Sequence, residues 1–166
     1  MNIKTKLTFK HFLSLQFLLV YKKPAFIILT IFGVIMLILA SSYFLGFWQQ
    51  GSFPVFQLVF AIFVLAGLPF SIYRSAKKQF NENEKLSETL TYTFDTRQVE
   101  IKGETFVSFL PWDKVKKVVE LNNWILIYQD NRTLNVIPKI DLTTNDLNNL
   151  RNIIKSIGGL ASNLKD

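Results

Sequence analysis

An uncharged block of fifty residues is the feature that most constrains this chain. Residues 24–73 contain no Lys, Arg, Asp, Glu or His, and only the short polar break WQQGSF at 48–53 interrupts their apolar sequence. The apolar stretches on either side, 24–47 and 54–73, each reach the roughly 20 residues that a helix needs to cross a bilayer. Because so short a break joins them, the pattern predicts an antiparallel transmembrane hairpin.

Two alternative structures fit the apolar block less well. Two buried helices of a soluble protein would need enough chain to surround them, and 166 residues are too few for two helices that are apolar on every face. A cleaved signal peptide would be shorter, would begin nearer the N-terminus and would not be followed by a second apolar span.

The charged residues indicate how this hairpin is oriented. Five Lys and no acid precede the block, Arg74, Lys77 and Lys78 follow it, and residues 79–166 hold 11 basic and 12 acidic side chains. The formal charge of +7 is therefore a topology signal and not the basic face of a nucleic-acid-binding domain. Positive residues stay on the cytoplasmic side of a membrane. We therefore expect a protein of the cytoplasmic membrane with both termini in the cytoplasm and no nucleic-acid partner.

Small residues in the spans suggest where the two helices approach each other. Gly33 and Ala40 are seven residues apart and share one face of the first span, which allows close packing of the second. Ala61 and Gly67 lie at matching depths but not on one face, so we expect at most one tight contact among these pairs. Pro69 is expected to bend the last turn of the second span.

The N-terminal segment has two different periodicities. Residues 2–10 alternate between apolar and polar side chains, as a strand does, and the following residues place apolar side chains on a helical stripe. We predict a short strand followed by a helix at the cytoplasmic interface. His11, the only histidine, is interpreted as an interfacial polar residue because no catalytic partner accompanies it.

The C-terminal half has the pattern of an α+β domain. Apolar alternation and turn residues predict about six short strands, at 88–95, 97–102, 104–110, 116–121, 123–129 and 132–138. Asn122–Asn123 and Asp130–Asn131 are the expected turns. A helix capped by Thr143 or Thr144 and ended by Gly158 follows, and the tail 159–166 is expected to fray. We expect one sheet, closed by this helix, to which the N-terminal strand is a candidate seventh strand.

Together these patterns divide the chain into six segments. They are a cytoplasmic N-terminal strand and interfacial helix (1–23), a first transmembrane helix (24–47), an external loop (48–53), a second transmembrane helix (54–73), a helical stalk (74–87) and a cytoplasmic domain (88–166).

The cytoplasmic domain resembles a known family. Its marks are SFLPWDKVKKVVE at 108–120, ILIY at 125–128 and VIPK at 136–139, which follow a membrane hairpin and precede a final helix. This arrangement resembles the YcxB-like family of small bacterial membrane proteins. The resemblance implies a C-terminal domain similar to pleckstrin-homology-like modules, and it implies no catalytic residues.

The chemistry of the side chains argues against an enzyme. The chain has no Cys and one His, so thiolate chemistry and multi-histidine metal sites are excluded. Acidic residues are scattered singly, and no phosphate loop or nucleophile motif is present. We therefore expect no catalytic residues, no metal site and no cofactor.

A membrane-anchored binding module is the function that these features favour. The expected partners are the lipid bilayer and a cytoplasmic protein of unknown identity, and a homo-oligomer is left open. Trp112, Lys114, Lys116 and Lys117 are the candidate contacts with lipid or with a partner, because lysines near an anionic leaflet favour association. The competing interpretation makes Trp112 and Trp124 core residues. The alternative function is that of a subunit of an oligomeric transport or channel assembly.

Overall fold

The computed structural model describes residues 1–47, 52–130 and 133–165. Its contacts divide the chain into two compact units, one made of Met1–Thr8 with Asn83–Asp166 and the other of Phe9–Glu82. The first unit thus combines residues from before and after the helical segment.

In the part of the helical unit that the structure describes there are three helices. Helix α1 spans Phe9–Tyr21 and helix α2 spans Pro24–Phe44. Helix α3 spans Val55–Glu82 and includes a π turn at Phe63–Gly67. Both α2 and α3 are long and apolar enough to cross a membrane.

The ends of these helices differ from the sequence-based limits. Helix α2 ends at Phe44, three residues before the predicted end, and Gly46 follows with a positive φ of 79°, a conformation that commonly ends helices. Helix α3 continues beyond Tyr73 to Glu82, so most of the predicted stalk is helical. Most of the predicted loop, at 48–51, lies outside the described residues.

The π turn lies next to Pro69. The backbone N–H of Leu68 donates to the carbonyl oxygen of Phe63, five residues earlier. A proline ring clashes with the carbonyl four residues before it and has no N–H to donate. The π turn, which is wider than an α turn, ends two residues before Pro69.

Gly33 makes the close approach expected of a small residue. Gly33 and Ala40 are the buried residues of α2, and Ala61 and Val64 are 1% and 2% exposed on α3. A Cβ atom placed on Gly33 would lie 2.8 Å from Cγ1 of Val64. The tight pairing is therefore between Gly33 and Val64, and not with Gly67.

Gly33→Ala is expected to weaken the packing of α2 on α3. Overpacking of this kind costs about 1–3 kcal/mol, and we expect a corresponding loss of thermal stability of the full chain in detergent. Gly67→Ala is the matched control, because its added Cβ would meet only the Phe63 ring of the same helix, at 3.5 Å. Equal melting temperatures for the two variants would contradict the close contact.

The described residues of the second unit form two four-stranded sheets. In the first sheet the order is β1 (Asn2–Lys6), β2 (Thr89–Phe94), β3 (Gln98–Lys102) and β4 (Val107–Pro111), all antiparallel. In the second sheet the order is β7 (Leu134–Pro138), β6 (Trp124–Tyr128), β5 (Lys117–Glu120) and β8 (Ser162–Asn163), with β8 parallel to β5.

The six strands predicted between 88 and 138 are all present, and β1 pairs with β2 as a seventh. The prediction of one sheet was wrong. Pro111 ends β4, and the short 3₁₀ turn Trp112–Lys114 carries the chain into the other sheet. Since proline has no N–H for a strand ladder, the Pro111–Trp112 pair marks this change of sheet. Asn131, in the last predicted turn, lies outside the described residues.

Helix α4 spans Thr144–Ser156 and closes the core between the sheets. Leu150 and Ile154 are buried against inward-facing side chains of both sheets, and the rest of the predicted stripe packs beside them: Leu147, Ile153 and Ile157. Ile157 is the C-cap of α4, so Gly158 lies at the C′ position as predicted, and the positive φ of 79° falls one residue later, at Gly159.

The predicted fraying of the tail was also wrong for the segment just after α4. The backbone N–H of Val118 donates to the carbonyl oxygen of Ala161, and β8 follows at once along β5. Leu160 and Leu164 pack against the core. The tail is therefore held by backbone pairing and by apolar contacts.

Thr143 is the N-cap of α4 and forms a complete capping box with Asp146. Thr143→Ala should destabilise this unit by about 1 kcal/mol, because the backbone N–H of Asp146 loses its acceptor. Urea unfolding of the full chain measures the change. Thr144→Ala alters the first helical residue instead of the cap and serves as the control, and the two variants should differ clearly in midpoint.

Candidate functional site

Trp112, the aromatic member of the predicted contact site, lies in the core. Its side chain is 6% exposed, its ring stacks on Phe94 with centroids 6.4 Å apart, and its Nε1–H donates to the carbonyl oxygen of Asp95 at 2.8 Å. One edge borders a shallow cleft of about 260 Å³ beside Gly158 and Leu160. A ring fixed in this way holds β2 against the turn after β4 and offers little surface to a partner.

The three lysines predicted to join Trp112 are all at the surface. Lys114, Lys116 and Lys117 are exposed, and the Nζ atom of Lys117 lies 4.9 Å from the centroid of the Tyr128 ring. Burial raises the pKa of the Tyr128 hydroxyl. The structure therefore separates the predicted site into a core tryptophan and an exposed basic segment.

A buried carboxylate, Glu120, joins four parts of the second sheet and its surroundings. Its side chain has no exposed area. Lys139 Nζ donates to Oε1 at 2.6 Å, Arg151 Nη2 donates to Oε1 at 2.7 Å, and Arg151 Nε donates to Oε2 at 2.9 Å. The backbone N–H of Lys165 donates to Oε2 at 3.0 Å. One carboxylate thus connects the end of β5, the residue after β7, helix α4 and the C-terminal tail.

The pKa of Glu120 reflects two opposing effects. Burial raises the pKa, but the hydrogen bonds from Arg151, Lys139 and the Lys165 backbone outweigh burial and lower it to about 2. The carboxylate is therefore charged at neutral pH and is fully occupied by donors. Glu120 serves to hold the fold together and has no free lone pair directed at a substrate.

A second buried carboxylate, Glu88, stabilises the turn between β3 and β4. Its Oε2 accepts the backbone N–H groups of Glu104 at 2.6 Å and Thr105 at 3.1 Å, and its Oε1 accepts the Thr105 hydroxyl at 2.5 Å. The Thr105 hydroxyl bond is the main cause that lowers the pKa of Glu88. A side chain at Gly103 would overlap Glu88 Oε2 and the Phe106 ring. This cluster positions the start of strand β4.

Strand β4 exposes two large apolar side chains. Val107 and Phe109 are 51% and 58% exposed, whereas Leu110, between Phe109 and Pro111, is 5% exposed. β4 is the last strand of its sheet and pairs only with β3 among the described residues. Exposed apolar side chains on an edge strand are typical of a contact surface, so this edge is the clearest candidate interaction site in the unit.

Trp112, Glu120, Lys139 and Arg151 all lie in a segment that matches a known protein family. Residues 94–154 match the YcxB-like protein family. The YcxB-like segment runs from the end of β2 into α4 and covers less than half of the chain, and the match confirms the predicted resemblance of this segment to the family. No curated protein and no solved structure matches the chain.

Sequence reasoning missed the role of Glu120 in the YcxB-like segment. Glu120 is one of the acidic residues that are scattered singly in the sequence, yet Val118 and Glu120 are two apart on a strand and so share one face. An acid on the buried face of a strand requires a cationic partner. The alternation was therefore a usable signal for Glu120, but it could not identify Lys139 and Arg151 as the partners.

Proposed function

We propose that this chain is a two-span membrane protein that holds a pleckstrin-homology-like binding domain at the cytoplasmic face of the membrane. The domain acts by binding a protein partner or the inner leaflet, and it does not act by catalysis. Seven strands in two sheets with a closing helix support the pleckstrin-homology-like assignment. The seven strands are β1–β4 and β5–β7, and the helix is α4.

The pairing of β1 with β2 is the observation that carries this proposal. β1 precedes the two apolar helices and β2 follows them, yet Asn2 pairs with Thr93 and Lys6 with Thr89. Strands that share hydrogen bonds must lie on the same side of a membrane, so the chain has to cross an even number of times. Two spans satisfy this condition, and the lysines and arginine that flank them favour the cytoplasmic side.

The contacts of the buried carboxylates support binding over catalysis. Glu88 and Glu120 are the buried acids of the described residues, and donors from within the fold occupy both. A general base needs a lone pair within reach of a substrate proton. Both oxygens of Glu120 accept two donors each, and the Glu88 carboxylate accepts three donors from the β3–β4 turn. The edge strand β4, in contrast, offers an exposed contact surface.

The pairing can be tested in native membranes with a disulfide. Lys4 and Thr91 are directly opposite in β1 and β2, and paired strand residues lie within the Cα distance that a disulfide requires. We expect the Lys4→Cys/Thr91→Cys chain to crosslink on mild oxidation and to remain in membranes after carbonate extraction. The Asn2→Cys/Thr89→Cys chain is the control, because these positions lie at opposite ends of the strand pair. Extraction of the protein by carbonate, or equal crosslinking of the two double-cysteine variants, would contradict the proposal.

A further inference from the structure

The outward face of the first sheet combines lysines with exposed apolar side chains. The strand register places Lys4, Thr91, Lys102 and Val107 in one row across the four strands. Lys4, Lys102 and Val107 are exposed. The face therefore presents cations on β1 and β3 and an apolar side chain at the β4 edge.

The two neighbouring rows each carry one part of this character, a lysine in one and an aromatic ring in the other. Lys6 lies opposite Thr89, and the row that contains Phe109 also contains Glu100, the one acid of the face. On the strands themselves three lysines thus oppose one glutamate, and no ion pair involves these lysines within the described residues. One further carboxylate, that of Asp141, accepts the backbone N–H of Lys6 at 3.2 Å. We name Lys4, Lys6, Lys102, Val107 and Phe109 the basic–apolar face.

Hydrogen bonding at the β4 edge makes strand addition by a protein a poor fit. Gly103 N–H donates to Phe106 and Trp112 N–H donates to Arg97, so the alternation of the ladder directs the backbone of Val107, Phe109 and Pro111 outward. Because proline has no N–H, only the N–H groups of Val107 and Phe109 point outward as donors. Such a short edge supplies little of the main-chain bonding on which strand addition depends.

We propose that the basic–apolar face is the surface through which the domain contacts anionic lipid. This inference rests on the proposed function, because it requires the domain to be held at a membrane. Lysines beside an anionic leaflet each favour association by about fivefold, and Val107 and Phe109 supply the apolar surface that enters the headgroup region. The contact site is thus the first sheet, and not the segment that contains Lys114, Lys116 and Lys117.

Spin labelling of the full chain in nanodiscs tests this assignment. The chain has no cysteine, so a label on Val107→Cys reports on one position, and a label on Lys117→Cys, an exposed strand position of the second sheet, is the control. The discs contain phosphatidylcholine with or without phosphatidylglycerol. The readout is the collision rate of the label with oxygen relative to that with a water-soluble nickel chelate.

The expected result is a severalfold higher oxygen-to-nickel ratio at position 107 than at 117 in anionic discs. High salt and the Lys4→Gln/Lys6→Gln/Lys102→Gln variant should both reduce the difference, because screening and loss of charge weaken the attraction. Equal ratios at 107 and 117 in anionic discs would overturn the inference. Two other results would also overturn the inference, because each would assign the face to a protein contact. One is spin–spin broadening between labels on two copies of the chain. The other is a label that is shielded from solvent in native membranes but not in discs. Failure of the chain to enter discs would instead contradict the proposed function.

Discussion

Glu120→Gln is expected to destabilise the β-sheet unit by about 3 kcal/mol, because it leaves the Lys139 and Arg151 cations without their shared anion. Both cations are largely buried, with side chains 16% and 17% exposed. Pulse proteolysis of the full chain in increasing urea measures the change. Glu104→Gln makes the same chemical change at an exposed residue and should shift stability by less than about 0.5 kcal/mol.

The pH dependence of Glu120 provides a second test of the same cluster. Its pKa is lowered in the folded protein, from an ordinary value of 4.5 to about 2. A lowered pKa means that the stabilisation is complete above pH 4.5 and is lost as the pH falls from 4.5 towards 2. The difference in unfolding free energy between the parent chain and Glu120→Gln should therefore decrease as the pH falls through that range. A free-energy difference that is small at neutral pH, or that increases on acidification, would contradict the stabilising role of the Glu120 cluster.

Trp112→Ala is expected to cost about 3–5 kcal/mol of unfolding free energy, as removal of a buried aromatic side chain does. Trp112→Phe retains a ring beside Phe94 but loses the hydrogen bond to the Asp95 carbonyl, so we expect about 1–3 kcal/mol. The same pulse proteolysis assay distinguishes them.

Lys114→Ala is the control for Trp112, because it lies on the same turn but is exposed. It should unfold at nearly the parent urea concentration. If Trp112→Ala also unfolded at nearly the parent urea concentration, Trp112 would not be a core residue. The result would instead favour Trp112 as a contact residue.

The periodicity of the sequence was sufficient to predict most of the secondary structure. Alternation predicted the strands from β2 to β7, and the stripe through Leu150 and Ile154 predicted α4. These predictions succeeded because each element buries one face, which leaves a period in the sequence. The uncharged block predicted the two long apolar helices for a similar reason.

Long-range pairing was the part that the sequence could not predict. Nothing local shows that β1 pairs with β2 across more than eighty residues, or that β8 lies along β5. The division of the strands into two sheets depends on the turn at Trp112–Lys114. The alternation of apolar and polar residues along a strand does not reveal it, because that alternation is the same whether the strands form one sheet or two. The partners of Glu120 come from α4 and from the residue after β7, so only the assembled fold brings them together.

The candidate contact site illustrates the same limit. Trp112 and the three following lysines are adjacent in sequence, which suggested one surface, but the indole turns into the core while the lysines remain exposed. Val107 and Phe109 sit on a strand whose alternation resembles that of its neighbours. Their exposure depends on which face of the first sheet is turned away from the core and on β4 being an edge strand, and both are properties of the assembled fold.

The location of each chain segment relative to the membrane tests the central claim most directly. Ser52→Cys reports on the connection between the helices, and Lys165→Cys reports on the C-terminal tail; both positions are exposed. We expect a membrane-impermeant maleimide to label position 52 in intact cells and position 165 only after the membrane is opened. Labelling of position 165 in intact cells, or of neither position until lysis, would contradict a two-span protein with its domain in the cytoplasm.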